Sequence, residues 1–215
     1  MKLAGDLEKQ LKCTIQDSLY KIVIGPSPVI VEETAKDGRA HVTFEPESDV
    51  RCIEWLIQRS LFAFLKEDKN ADGAFFVQRS ESSFEAHIVE CKRTINQDSW
   101  DKAKRQMRWT LIRLRALAGV LGVELANVVC YTAYCDDELQ ADSSPDPAES
   151  KIPIGDEEAS IPEDAEIQRT LRRQFDWDGE EVHLRDFDDA FPHRKLPLQL
   201  NAGVGIGSFP VARAG

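Results

Sequence analysis

Asp72, Glu90 and Lys92 are the residues of this chain whose types and spacing combine into chemistry. Two carboxylates held close together repel, and a hard divalent cation such as Mg²⁺ or Mn²⁺, which prefers oxygen ligands, removes that repulsion. A lysine beside them can orient or deprotonate a water, or stabilise the charge that grows on a phosphate. Together the three amount to a means of hydrolysing a phosphodiester.

A hairpin is the element that must bring them together. Ala74 to Gln78 and Glu85 to Lys92 read as strands, and the polar run from Arg79 to Ser83 reads as the turn between them. If the chain pivots near Glu81, antiparallel pairing sets Asp72 almost opposite Glu90. Side chains alternate across a strand, so Glu90 and Lys92 share one face while Val89 and Cys91 point into a core. After Lys92, the apolar positions Ala103, Met107, Leu111, Leu114, Ala118 and Leu121 predict a helix from Trp100 to about Leu121, with Asp98 or Ser99 as its cap. Asn127 to Tyr134 then reads as a buried strand. It fits a βαβ crossover running parallel to the Glu90 strand.

This arrangement resembles the PD-(D/E)xK nuclease superfamily, in which an Asp at a strand start is followed by a hairpin and then by Glu-x-Lys. Ala71 stands where that pattern has a proline. The resemblance covers about residues 50 to 135 and implies an α/β fold with a restriction-endonuclease-like α-β-β-β-α-β core. It further implies Asp72 and Glu90 as ligands of Mg²⁺ or Mn²⁺, with the Cys91 carbonyl as an extra ligand and Lys92 positioning water. Nucleases of this fold draw a further acid from the helix before the hairpin, a role that falls on Glu54. In the exonuclease branch a helix glutamine follows the lysine strand; Gln106 matches it, but Thr110 stands where that branch has a tyrosine four residues on. The implied substrate is nucleic acid, DNA ahead of RNA. The alternative is an inactive member of the fold serving as a protein-interaction module.

The chain of 215 residues carries a formal net charge of −11, which at first argues against a phosphate-rich partner. Half of the acidic residues, however, fall between Asp136 and Asp189, leaving the earlier part nearly neutral. On the predicted long helix, Lys102, Arg105, Arg108 and Arg113 form a basic face suited to phosphates. Five cysteines, an odd number, lie mostly in apolar runs, and with no signal peptide they predict a reduced, intracellular protein. The absence of a long apolar run predicts no membrane span.

Four segments follow from these patterns. Residues 1–47 are expected to form a helix near Gly5 to Leu11 and three strands, Tyr20 to Ile24, Val29 to Glu32 and Ala40 to Phe44, joined as a small antiparallel extension. Residues 48–135 form the nuclease-like core. It opens on a helix from Ser48 whose stripe is Val50, Ile53, Ile57, Leu61, Phe64 and Leu65. The acidic, Pro- and Ser-rich residues 136–162 read as a mobile linker. In residues 163–215, a short helix to Phe175, a hairpin over Phe175 to Leu184 and a glycine-rich flexible end at Gly203 to Gly207 are expected. This acidic arm could cover the basic helix in place of phosphate, or serve a homodimer or protein partner.

Overall fold

The middle of the chain folds as strands with both faces covered, which is why its apolar runs are nearly unbroken. In chain order the elements are α1 (Gly5–Thr14), a 3₁₀ turn (Asp17–Leu19), β1 (Tyr20–Ile24), β2 (Val29–Glu33), β3 (Ala40–Pro46), β4 (Arg51–Trp55), β5 (Gly73–Gln78) and β6 (Ser83–Ile95). They continue as α2 (Gln97–Leu121), β7 (Glu124–Asp137), β8 (Glu181–His183), β9 (Ala190–Pro197), β10 (Gln199–Asn201) and β11 (Val204–Val211). The computed structural model describes residues 5–24, 27–35, 39–48, 50–56, 65, 69–139 and 177–211.

Two mixed sheets and the helices stack as three layers. The larger sheet has the order β1-β4-β5-β6-β7-β9-β8, and the smaller one β10-β11-β3-β2. Helices cover one face of the larger sheet, where Ile53, Trp55, Phe76, Ala86, Ile88 and Cys130 meet Leu7, Leu11, Met107, Leu111 and Leu114. On the opposite face, Cys52, Phe75, Val77, Val89, Cys91 and Tyr131 pack against Val29, Val31, Val42 and Phe44 of the smaller sheet. β5 and β6 pair antiparallel with Gly73 opposite Val89, while β6 and β7 run parallel. The parallel pair needs a crossover, and α2 supplies it.

Asn96, rather than Asp98 or Ser99, caps α2. Its side chain accepts from the Ser99 amide at 3.0 Å, and Ser99 Oγ accepts from the Asn96 amide at 2.8 Å, a reciprocal capping box. At the other end Gly122 takes φ 61° and closes the helix.

Several expectations are corrected. Arg51–Trp55 is strand β4, not the start of a helix, because it inserts between β1 and β5 and is buried from both sides; the remaining stripe positions at Ile57, Leu61 and Phe64 lie outside the described residues. The three N-terminal strands do not form one sheet: β1 joins the larger sheet through β4, whereas β2 and β3 belong to the smaller. Gly203 to Gly207 is no loose end: from Val204 on it is strand β11, which pairs parallel with β3. Its glycines have a reason, since a Cβ at Gly205 would lie 2.8 Å from Cys135 Sγ, and one at Gly207 2.6 Å from Leu198 Cδ2. The hairpin expected over Phe175 to Leu184 is instead β8 paired with β9, and β9 extends the larger sheet beside β7. The expected linker beyond Leu139 and the short helix to Phe175 lie outside the described residues. Among the described residues, no helix is long and apolar enough to cross a membrane.

Candidate active site

The site begins where β5 begins. Asp72 lies one residue before the strand, and its Oδ2 accepts a hydrogen bond from the Cys91 amide at 2.6 Å, so the carboxylate takes the place of the next ladder acceptor. That bond sets Asp72 in the plane of the sheet, beside Glu90. Following the alternation of β6, Glu90 and Lys92 turn toward α2, and Lys92 Nζ donates to Glu90 Oε1 and, at 3.3 Å, to the Cys91 carbonyl. Gln106 reaches down from α2, its Oε1 3.4 Å from Lys92 Nζ. Asp72, Glu90, Lys92 and Gln106 are thus brought together, along with the Cys91 carbonyl.

Three residues of α2, spaced four and then three apart, hold the segment that leads to Asp72. Gln106 Nε2 donates to the Asn70 carbonyl at 2.8 Å, Thr110 Oγ1 accepts from the Ala71 amide at 2.8 Å, and Arg113 Nη1 donates to the Lys69 carbonyl at 3.1 Å. Such spacing puts them on one helix face. Each satisfies a backbone group of an otherwise irregular segment.

Burial dominates the electrostatics. It pushes Asp72 up to about 9, helped by the neighbouring Glu90 charge and by the nearby Glu33. Glu90, fully buried, is pushed up to about 7 by the same loss of water, against the pull of Lys92. Burial works against the charged form of Lys92, yet Glu90 and Asp72 outweigh it and raise its pKa. Lys92 is therefore an ammonium at neutral pH. Glu90 Oε2 has no hydrogen-bond partner although the residue is fully buried. A fully buried oxygen without a donor, beside further carboxylates, fits a hard cation. Among the described residues, no group of three or more His, Cys, Asp or Glu side chains is placed to hold a metal ion.

Glu54 is elsewhere. Its Cα partner is Phe75, which puts it on the face toward the smaller sheet, with Lys21 Nζ 3.7 Å away. The basic residues of α2 also divide. Lys102 and Arg105 are exposed, whereas Arg113 is buried and bonds backbone carbonyls, so it cannot face a nucleic acid. Arg108 pairs with Asp186 and donates to the Arg185 carbonyl at 2.9 Å, and Arg115 lies over the Phe187 ring. Part of the C-terminal segment does lie on the basic helix, therefore, through the loop between β8 and β9.

Sequence reasoning missed Glu33, whose neighbourhood with Asp72 lowers its own pKa and raises that of Asp72. A signal existed: Val29, Val31 and Glu33 alternate inward along β2, and the expected strand stopped one residue short. It also missed the row that extends the site, since Thr132 lies opposite Glu90 and Lys195 opposite Thr132. Thr132 is fully buried and pairs with His193 Nε2 at 3.0 Å, while Lys195 lies over the Trp177 ring. No signal in the chain joins β9 to β7, because the join is made by tertiary pairing alone. Comparison with family models, with curated proteins and with solved structures finds no match to this chain.

Proposed function

We propose that this protein is a metal-dependent nuclease of restriction-endonuclease-like topology, hydrolysing phosphodiester bonds in DNA ahead of RNA. One observation carries the reading: Asp72, Glu90 and Lys92 meet at one end of the β5–β6 hairpin, with Gln106 of the crossover helix touching Lys92. The order β4-β5-β6-α2-β7, antiparallel until the crossover and parallel after it, supports the topology.

Asp72, Glu90 and the Cys91 carbonyl would hold Mg²⁺ or Mn²⁺, which supplies charge neutralisation and a more acidic water when bound. Lys92, kept as an ammonium, acts by charge and position: it orients a water or steadies the phosphate rather than removing a proton. Gln106 fixes Lys92 from above and the Asn70 carbonyl from its other end, so the lysine and the Asp72 segment move together. Lys102 stands one turn before Gln106 and is exposed. With Arg105 it offers two cations to a phosphate backbone.

The rival reading, an inactive member of the fold that binds protein partners, draws on Arg108 and Arg113 being engaged within the chain. Purified protein incubated with single- and double-stranded DNA and RNA in Mg²⁺, Mn²⁺ or chelator separates the two. Cleavage that needs the metal and is lost in Glu90→Ala and in Lys92→Ala is the expected result; no cleavage of any substrate by the intact protein supports the rival.

A further inference from the structure

We propose that Lys195 of β9 grips the phosphate backbone of the bound nucleic acid beside the cleavage site, on the side of Glu90 remote from Asp72. This rests on the nuclease reading and adds to it a contact from outside the hairpin and the crossover helix. β6, β7 and β9 run parallel, and their register sets Glu90, Thr132 and Lys195 in one row across three strands. All three side chains stand on the α2 face, because Ile88, Cys130 and Phe191, which share their alternation, pack there. Two strand spacings put the Lys195 backbone about 10 Å from that of Glu90. Asp72 lies on the other side of Glu90, just before β5.

Lys195 is half-buried, and its Nζ lies 4.6 Å from the centre of the Trp177 ring. That ring is itself fixed: Trp177 Nε1 donates to Asp137 Oδ2 at 3.2 Å, and the ring packs on Trp100 of α2 at 5.0 Å and on Tyr134 of β7 at 5.4 Å. The ammonium is thereby placed without being neutralised, since a ring face attracts a cation but carries no net charge. Among the described residues, no carboxylate pairs with it. Arg108 and Arg113, by contrast, are engaged within the chain. A fixed, partly exposed and uncompensated positive charge beside the acids suits a phosphate, which a lysine meets as a point charge.

The test is binding of fluorescently labelled single- and double-stranded DNA to the full chain in chelator, followed by anisotropy across a series of salt concentrations, with cleavage in Mg²⁺ and the melting temperature of each variant measured alongside. Lys195→Gln is expected to weaken binding about tenfold at low salt and to lower the slope of log affinity against log salt by about one. Lys195→Arg keeps the charge and should restore the slope. Lys21→Gln removes an equal charge from β1, at the far edge of the larger sheet, and should bind as the wild type does. Equal losses in Lys21→Gln and Lys195→Gln would reduce the effect to net charge and overturn the proposal. An unchanged salt slope in Lys195→Gln, whatever its melting temperature, makes Lys195 a packing partner of Trp177 only, and metal-dependent cleavage by the wild type then keeps the nuclease reading. If the wild-type chain itself neither binds nor cleaves nucleic acid, both readings fall.

Discussion

Lys92 shows how environment selects a role. A lysine near neutral pH becomes a base only when its surroundings depress its pKa, and the Glu90 and Asp72 carboxylates do the reverse. Replacing it with Met should therefore split two properties. Cleavage should fall by about a hundredfold or more, whereas Mn²⁺ affinity should rise, since Glu90 loses its counter-charge; a parallel fall in both would mean that Lys92 only maintains the fold. Asp72, Glu90 and Lys92 were legible because a hairpin is local: its mirror symmetry about the turn predicts which residues meet. Glu33 was not, because its meeting with Asp72 depends on one sheet packing on another. Glu54 failed for a related reason, since a one-residue alternation on β4 sends a side chain to the opposite face.

Among elements, α2 does more than bridge parallel strands. Gln106, Thr110 and Arg113 hold three successive residues, Asn70, Ala71 and Lys69, that carry the chain to Asp72. Thr110→Val keeps the shape but strands the Ala71 amide. It should cost about 1–3 kcal/mol in urea unfolding and raise hydrogen exchange at Ala71; unchanged exchange would show that the hydroxyl does not hold that segment. The apolar spacing of α2 was plain in the sequence, as was the buried character of β7. β4 was misread because Val50, Ile53 and Ile57 recur at helical spacing, while the pull of two neighbouring strands leaves no mark on a local pattern. β11 was missed for its glycines, which look like flexibility but serve close approach to Leu198 and Phe209.

For the molecule as a whole, stability rests on the contact between layers. Gly73→Ala should destabilise by about 1–3 kcal/mol, and adding Val31→Ala should recover most of it if the loss comes from overlap at that one contact; thermal denaturation of the single and double variants checks this. Acid should act through buried histidines. Burial lowers His193 to about 4 and lowers His87 as well. The unfolded chain then takes up protons near pH 6.5 that the folded chain refuses, so this contribution is complete above pH 6.5 and is lost as pH falls toward 4. For His193 alone it amounts to roughly 3 kcal/mol. His193→Phe should flatten the fall in melting temperature between pH 6.5 and 4, and an unaltered slope would assign that fall to other groups.

The pairing of β11 with β3 couples Gly205 to Ala40 across most of the chain. During synthesis on the ribosome, β3 must therefore wait with one edge open while nearly everything else emerges, and an open edge invites pairing with a stranger. A nascent chain halted before Val204 would hold the hairpin carboxylates but leave the smaller sheet that backs them unfinished, which ties the completion of that layer to the last stages of translation.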